Sequence, residues 1–200
     1  MPSICSKASS YLQEFLQAQT EEPAPPRAPV VQQWRPPDSH CFKVNFDAAV
    51  FRDLNKAGLG VIVRDCGGAV LGALSSSIPL AQSVADVEAL ACLKVVKFAL
   101  EIGLTRVIFE GDSAVIISAL TQENGEVANY GNILEDIRQL VGAFQSVIFS
   151  HTSCVCNSVA DALVKKAKLV VGDQFWLGDL PVDIAPLVYL DIHQVFFFFE

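Results

Sequence analysis

Residues 43–51 read KVNFDAAVF, and this stretch decides the fold because apolar and polar side chains alternate along it. An alternation with a period of two residues is typical of a β-strand, and here it places Asp47 at one of the polar positions. Residues 57–65 and 69–77 are also apolar, and a Cys-Gly-Gly turn joins them. Such a turn predicts a tight hairpin. The domain therefore begins with three predicted antiparallel strands.

Helices and strands alternate after these three strands. Ser83 followed by Asp86 forms a capping box that predicts the start of the longest helix, and Gly103 supplies its end. The later elements are a strand over 106–113, a short helix, a helix over 130–142, a strand over 145–151 and a last helix that Asn157 or Ser158 caps. The order βββαβααβα predicts an α/β fold with a mixed five-stranded sheet, three antiparallel strands and then two parallel ones, flanked by helices.

The ends of the chain differ from its middle. Residues 1–41 predict a leader with a short helix over 9–19 and a proline-rich linker, and residues 42–170 predict the compact domain. Residues 171–200 predict a C-terminal extension that is both acidic and apolar. The extension carries five acids and no Lys or Arg, so it holds much of the formal net charge of −8. The domain itself has 11 basic and 13 acidic residues, which keeps a nucleic-acid partner possible.

The composition also bears on the location of the protein. No apolar run approaches the roughly 20 residues of a membrane-spanning helix, so we expect no membrane partner. The six cysteines are spread over different predicted elements and no secretory signal precedes residue 40. This pattern favours a reducing compartment. We therefore expect a cytoplasmic or nuclear protein that is not secreted.

Four carboxylates lie where side chains normally point inward. Asp47 is in the middle of a strand and Glu88 begins an apolar helix stripe, while Asp112 ends a strand and Asp161 lies in the first turn of a helix. Buried acids need partners, and a pair of divalent cations is the most economical partner for four of them. Singly, each acid has a structural alternative, such as a helix cap for Asp112 or a dipole partner for Asp161.

The same residues carry a family resemblance. The motifs FDAAVF, VEALACLKVVKFAL and VIFEGDS, and the spacing H(x5)N(xxx)D from His151 through Asn157 to Asp161, resemble those of ribonuclease H-like domains. The closest likeness is to the plant domains related to retroelement reverse transcriptases, over roughly residues 42–170. The resemblance implies a ribonuclease H-like fold.

The resemblance also implies an activity, the metal-dependent endonucleolytic hydrolysis of the RNA strand of RNA–DNA hybrids. Asp47, Glu88, Asp112 and Asp161 would be the catalytic and metal-binding residues, and two ions of Mg²⁺ or Mn²⁺ suit their oxygen ligands. His151 aligns with a catalytic histidine on a loop near the metals. The candidate substrate-binding residues are Asn157 and Ser113, and the expected partner is an RNA–DNA hybrid.

Three departures keep a second function open. Ala48 follows the first aspartate where the family usually has glycine, Arg138 is the only basic residue between Asp112 and Asp161, and the loop after His151 lacks the basic residues of related domains. The alternative is a weakly active or inactive domesticated module that binds nucleic acid or protein. Other enzyme classes fit less well. Cys154, Cys156 and His151 lack a fourth zinc ligand, and no nucleophile elbow of a hydrolase is present.

Overall fold

The computed structural model describes residues 32–122 and 130–193. Within these residues the strands are β1 (Phe42–Phe51), β2 (Lys56–Arg64), β3 (Val70–Pro79), β4 (Arg106–Gly111), β5 (Ser146–His151) and β6 (Asp173–Leu177). The helices are α1 (Val84–Glu101), α2 (Ala114–Thr121), α3 (Gly131–Val141), α4 (Ser158–Lys166) and α5 (Ala185–Ile192). The predicted leader helix over 9–19 lies outside the described residues.

All six described strands form one sheet in the order β5-β4-β1-β2-β3-β6. β1, β2 and β3 are antiparallel neighbours, and β4 and β5 run parallel to β1. The predicted arrangement of three antiparallel and two parallel strands is confirmed. Among the described helices, none combines the length and apolar composition of a membrane-spanning segment.

The predicted number of five strands was wrong, because β6 adds a sixth. β6 pairs antiparallel with β3, and this register places Phe175 opposite Leu74. The Phe175 ring also packs against Phe98 of α1, with 5.7 Å between the ring centroids. Four of the five β6 residues are exposed, so the strand lacks the alternation that reveals a half-buried strand. Residues 171–200 stay a predicted extension. Their described part adds strand β6 to the sheet and packs helix α5 against one face of it.

Helices cover both faces of the sheet. On one face, α1, α2 and α3 bury a large apolar core that includes Phe46 of β1 and Phe109 of β4. On the other face, α4 and α5 bury a smaller cluster that includes Ile62 of β2, Leu163 of α4 and Ile184 beside α5. Helices therefore pack on both faces of the sheet, with the second layer lying over the antiparallel strands, as the α/β prediction requires.

The ends of α1 are set by local sequence. The Ser83 hydroxyl accepts a hydrogen bond from the Asp86 amide at 3.1 Å, and the Asp86 carboxylate accepts one from the Ser83 amide at 2.9 Å. This reciprocal pair confirms the predicted capping box. Gly103 has a φ of 79°, a left-handed conformation that glycine adopts without a Cβ clash. The position of Glu88 along the helix follows from this fixed start.

A buried polar network joins both ends of the described chain to the sheet. The Arg64 side chain of β2 is 1% exposed and forms an ion pair of 2.8 Å with Asp191 of α5. Its guanidinium lies 3.6 Å from the centroid of the Trp34 ring. Trp34 and Arg64 both donate hydrogen bonds to the side-chain oxygen of Asn45, and Gln33 donates one to the Asp191 carbonyl. Burial of this charge is tolerated because the guanidinium pairs with the Asp191 carboxylate and the Asn45 oxygen, while its Nε atom has no hydrogen-bond partner among the described residues.

Candidate active site

The central strands bring Asp47 and Asp112 together. β1 and β4 are parallel, and their register pairs Phe46 with Gly111, so an aspartate follows each member of that pair. Asp112 comes directly after β4, at the carboxyl end of the strand, which is the edge where α/β sheets usually bind ligands. The Asp112 carboxylate lies near enough to Asp47 that its charge raises the pKa of the Asp47 carboxyl group.

Helix α1 carries Glu88 over this pair. Glu88 lies on the face of α1 that packs against β1, and Cys92 and Val95 on the same face are fully buried. Side chains at these spacings lie above one another along a helix. The carboxylate is half-buried, and the charges of Asp47 and Asp112 act on it. The apolar stripe therefore anchors the helix and directs its acid to the sheet edge.

Helix α4 reaches the same edge because β2 has a glycine at the point of contact. Gly60 pairs with Asp47 in the β1–β2 register. A Cβ atom at Gly60 would lie 2.1 Å from the Ala160 carbonyl oxygen and 2.6 Å from the Val164 amide nitrogen. Glycine in a strand often marks such a close backbone approach. The contact holds α4 against the sheet, and Asp161 in the first turn of α4 is close enough to affect the charge of Asp47.

Asn157 fixes the loop that precedes α4. Its side-chain amide donates a hydrogen bond of 2.9 Å to the carbonyl of Phe46, the residue before Asp47. The residue is 2% exposed. The side-chain oxygen Oδ1 of Asn157 is buried and accepts no hydrogen bond from the part of the chain that the structure describes. The predicted substrate-binding role of Asn157 stays a prediction, and its visible contact is with the strand that bears Asp47.

The clustering of acids changes their protonation. Burial, and next the charge of Asp112, raise the pKa of Asp47 to about 7. Burial, followed by the charges of Asp47 and Asp112, raises the pKa of Glu88 to about 8. Unpaired buried carboxylates resist ionisation, and nearby like charges add to this resistance. Asp47 lies at the centre of the group, since Glu88, Asp112 and Asp161 all interact with it.

The other two candidate residues lie at the rim. His151 ends β5 and is exposed, and its Nε2 atom lies 3.1 Å from the Asp112 carbonyl oxygen. Ser113 occupies the N-cap position of α2, but its side chain makes no capping hydrogen bond. Ser113 therefore follows Asp112 in the sequence, and His151 contacts its backbone. Their predicted roles in catalysis and substrate binding stay predictions.

The chemistry of the donor set fits hard divalent cations. Within 32–122 and 130–193, no three His, Cys, Asp or Glu side chains are grouped so that they could hold a metal ion. The four acids nevertheless offer only carboxylate oxygens, the ligands that Mg²⁺ and Mn²⁺ prefer. Burial, and next the repulsion between these acids, raise the pKa values of Asp47 and Glu88, and a bound cation would offset both effects.

Two contacts at this site were not predicted from the sequence, those of Gly60 with α4 and of Lys165 with Asp161. Gly60 could have been found because an isolated glycine in an apolar strand signals close packing. Lys165 pairs with Asp161 through an ion pair of 2.5 Å, and their spacing of four residues is typical of helical ion pairs. Arg138, by contrast, is engaged elsewhere, with the Ala119 carbonyl and the Glu135 carboxylate.

The raised pKa values predict how the stability of the metal-free protein depends on pH. Folded Asp47 and Glu88 retain protons that the unfolded chain has lost above pH 5, so the free energy of unfolding should fall as the pH rises from 5 to 8. We expect a fall of several kcal/mol, at about 1.4 kcal/mol for each pH unit over which one of these groups stays protonated in the folded chain and ionised in the unfolded chain. Urea unfolding in the presence of a chelator measures this change. Glu88→Gln should flatten the pH dependence, and an unchanged slope would contradict the assignment.

Comparisons with known proteins agree with this architecture. A family model described as reverse transcriptase-like matches residues 45–167. A search of curated protein sequences finds no match. Among solved structures, ribonuclease H1 from the halophilic archaeon Halobacterium salinarum has a TM-score of 0.59 with 21% sequence identity. The alignment covers 64% of this chain and 97% of that one.

Two further structures have the same fold. The N-terminal ribonuclease H domain of a Mycobacterium tuberculosis protein has a TM-score of 0.56 and 17% identity, covering 64% of this chain and 92% of that one. LC11 ribonuclease H1, isolated from compost and solved with an RNA/DNA hybrid, has a TM-score of 0.56 and 20% identity, covering 63% of this chain and 95% of that one. The chain therefore belongs to the reverse transcriptase-like family and has a ribonuclease H-like fold.

Proposed function

We propose that the protein is a divalent-metal-dependent endonuclease that hydrolyses the RNA strand of RNA–DNA hybrids. The observation that carries the proposal is the convergence of Asp47, Glu88, Asp112 and Asp161 at one edge of the sheet, with the pKa of Asp47 and that of Glu88 raised by their surroundings. The hybrid as substrate is supported by the sequence resemblance and by the bound RNA/DNA hybrid of LC11 ribonuclease H1. We also propose a plant retroelement origin and a cytoplasmic or nuclear location.

The four carboxylates would hold two ions of Mg²⁺ or Mn²⁺. When bound, such a pair supplies an activated water and stabilises the leaving oxygen of an in-line displacement. Asp47 is the acid that interacts with all three others, so it is the best candidate to contact both ions. Glu88 and Asp112 would complete the first site, and Asp161 the second. The products would carry a 5′-phosphate and a 3′-hydroxyl.

His151 and Asn157 have separate tasks in this proposal. His151 is exposed beside the Asp112 carbonyl, where an imidazole is able to exchange protons with solvent and assist departure of the product. Asn157 holds the loop before α4 against β1, which fixes the distance between Asp161 and Asp47. We propose that Asn157 and Ser113 flank the substrate backbone, where a contact with the 2′-hydroxyl would distinguish RNA from DNA.

A labelled RNA–DNA hybrid with the RNA strand marked at its 5′ end tests the activity. With Mg²⁺ or Mn²⁺ we expect cleavage within the RNA strand, and removal of the metal with a chelator should lower the rate roughly 1,000-fold or more, because activation of water depends on the ions. Matched duplexes of DNA alone and of RNA alone are the controls and should remain intact. Cleavage that persists in the chelator would contradict metal dependence.

The second candidate is a binding module that has lost catalysis. It is favoured by the engagement of four described cations in ion pairs, which makes them less available to phosphates: Lys43, Arg138, Lys165 and Lys166. Phosphate contacts from Lys and Arg supply much of the affinity for nucleic acids. Retained binding of the hybrid with no cleavage in either metal would support the module and contradict the enzyme.

A further inference from the structure

Lys165 places a cation at the acidic cluster. Its ammonium nitrogen lies 2.5 Å from Oδ2 of Asp161, and the two side chains are one helical turn apart on α4. The charge of Asp47 also acts on this ammonium, as a smaller effect than that of Asp161. Lys165 is therefore the basic residue that faces the proposed metal ligands from α4.

The ion pair with Lys165 occupies part of the Asp161 carboxylate, which is a proposed ligand of the second metal ion. Asp161 has one carboxylate group, and its Oδ2 atom is already the partner of Lys165. A cation at Asp161 would bring a second positive charge to the same carboxylate, and repulsion between the two charges disfavours its binding while the ammonium stays in place.

We propose that Lys165 is an internal competitor of the divalent cation at Asp161 and thereby sets the metal affinity of the site. This inference rests on the proposed function, because it takes the four carboxylates to be metal ligands. The pair is partly exposed, with 68% of the Lys165 side chain and 43% of the Asp161 side chain open to solvent. An exposed pair is weak enough to exchange for a divalent ion, so Lys165 modulates metal binding without blocking it.

The position of Lys165 next to Lys166 provides a matched control. Lys166 is the adjacent residue of the same helix, but its ammonium pairs with Asp183 instead of the acidic cluster. Lys165→Met and Lys166→Met change the net charge by the same amount and keep a helix-compatible side chain. Any difference in their metal binding therefore reports the position of the charge, and not the total charge.

Isothermal titration of the full-length, metal-free protein with Mn²⁺ tests the inference without relying on activity. We expect Lys165→Met to tighten Mn²⁺ binding roughly three- to tenfold at low salt, the range that removal of one nearby positive charge allows. Lys166→Met and the charge-conserving Lys165→Arg should each stay within about twofold of the wild type. Circular dichroism confirms that each variant is folded.

The outcomes separate this inference from the proposed function. Equal or weaker Mn²⁺ binding by Lys165→Met, alongside saturable binding by the wild type, would overturn the role of Lys165 and leave the metal site intact. The same tightening in Lys166→Met would also overturn it, since the effect would then be one of net charge. Absence of saturable binding in every variant would overturn both the inference and the metal-dependent function.

Discussion

Asp47→Asn is expected to lower the rate of RNA cleavage in a hybrid by roughly 1,000-fold or more, because it replaces the acid that interacts with the other three. An asparagine keeps the shape of the side chain but removes the negative charge and one of the two carboxylate oxygens. The Ala48 amide, which donates a hydrogen bond of 2.8 Å to Oδ1 of Asp47, still has an oxygen to bond to. The backbone of β1 should therefore stay in place.

The stability of this variant should change in the opposite direction from its activity. Asp47 is a partly buried acid beside Asp112, and its ionisation opposes folding in the absence of metal. We expect metal-free Asp47→Asn to be at least as stable as the wild type at pH 8. Single-turnover cleavage and urea unfolding, measured on the same sample, separate the two effects.

Asp53→Asn is the matched control, since Asp53 is an exposed acid in the turn after β1. It should cleave at the wild-type rate. A folded Asp47→Asn variant that also cleaves at the wild-type rate would refute the proposed site. Loss of activity in both variants would instead indicate that cleavage depends on the total negative charge of the protein and not on the cluster of four acids.

Gly60→Ala is expected to lower the free energy of unfolding by about 3 kcal/mol or more. The added methyl would lie 2.1 Å from a carbonyl oxygen and 2.6 Å from an amide nitrogen, both in the backbone of α4. A flexible side chain could rotate away, but backbone atoms of a helix cannot move without shifting the helix. Relief of the clash must therefore lift α4 from the sheet, and with it Asp161 from Asp47.

The activity of Gly60→Ala should fall even at temperatures where the variant remains folded. Gly131→Ala is the control, because a Cβ at Gly131 would have no atom within 4 Å. Thermal unfolding and cleavage below the unfolding transition measure both quantities. Wild-type stability of Gly60→Ala would contradict the tight contact between β2 and α4.

Much of the fold was predictable because its signals are local. The alternation in 43–51, the capping box at Ser83 and the glycine after α1 each depend on residues within a few positions. β6 escaped prediction because its pattern is set by pairing with β3, almost 100 residues earlier in the chain. Periodicity reports exposure to solvent, and a mostly exposed edge strand has little of it.

In the candidate site, too, the positions set by local sequence were predictable and the long-range contacts were not. Asp112 and Asp161 stand at element ends that the sequence marks, so their positions at the sheet edge could be predicted. The ion pair of Lys165 with Asp161 follows a known helical spacing, but the sequence alone does not tell whether a lysine turns to its neighbour or to solvent. The contact of Gly60 with α4 depends on how a helix and a strand distant in sequence approach each other.

The network around Arg64 has a consequence for synthesis of the chain. It joins Gln33 to Asp191 across 158 residues, and it encloses a guanidinium that would be buried without its carboxylate if α5 were missing. A ribosome releases these residues in order, so the earlier strands emerge well before their last polar partner. The growing polypeptide can complete this interior only when α5 has left the exit tunnel, so we expect the domain to finish folding after α5 has been translated.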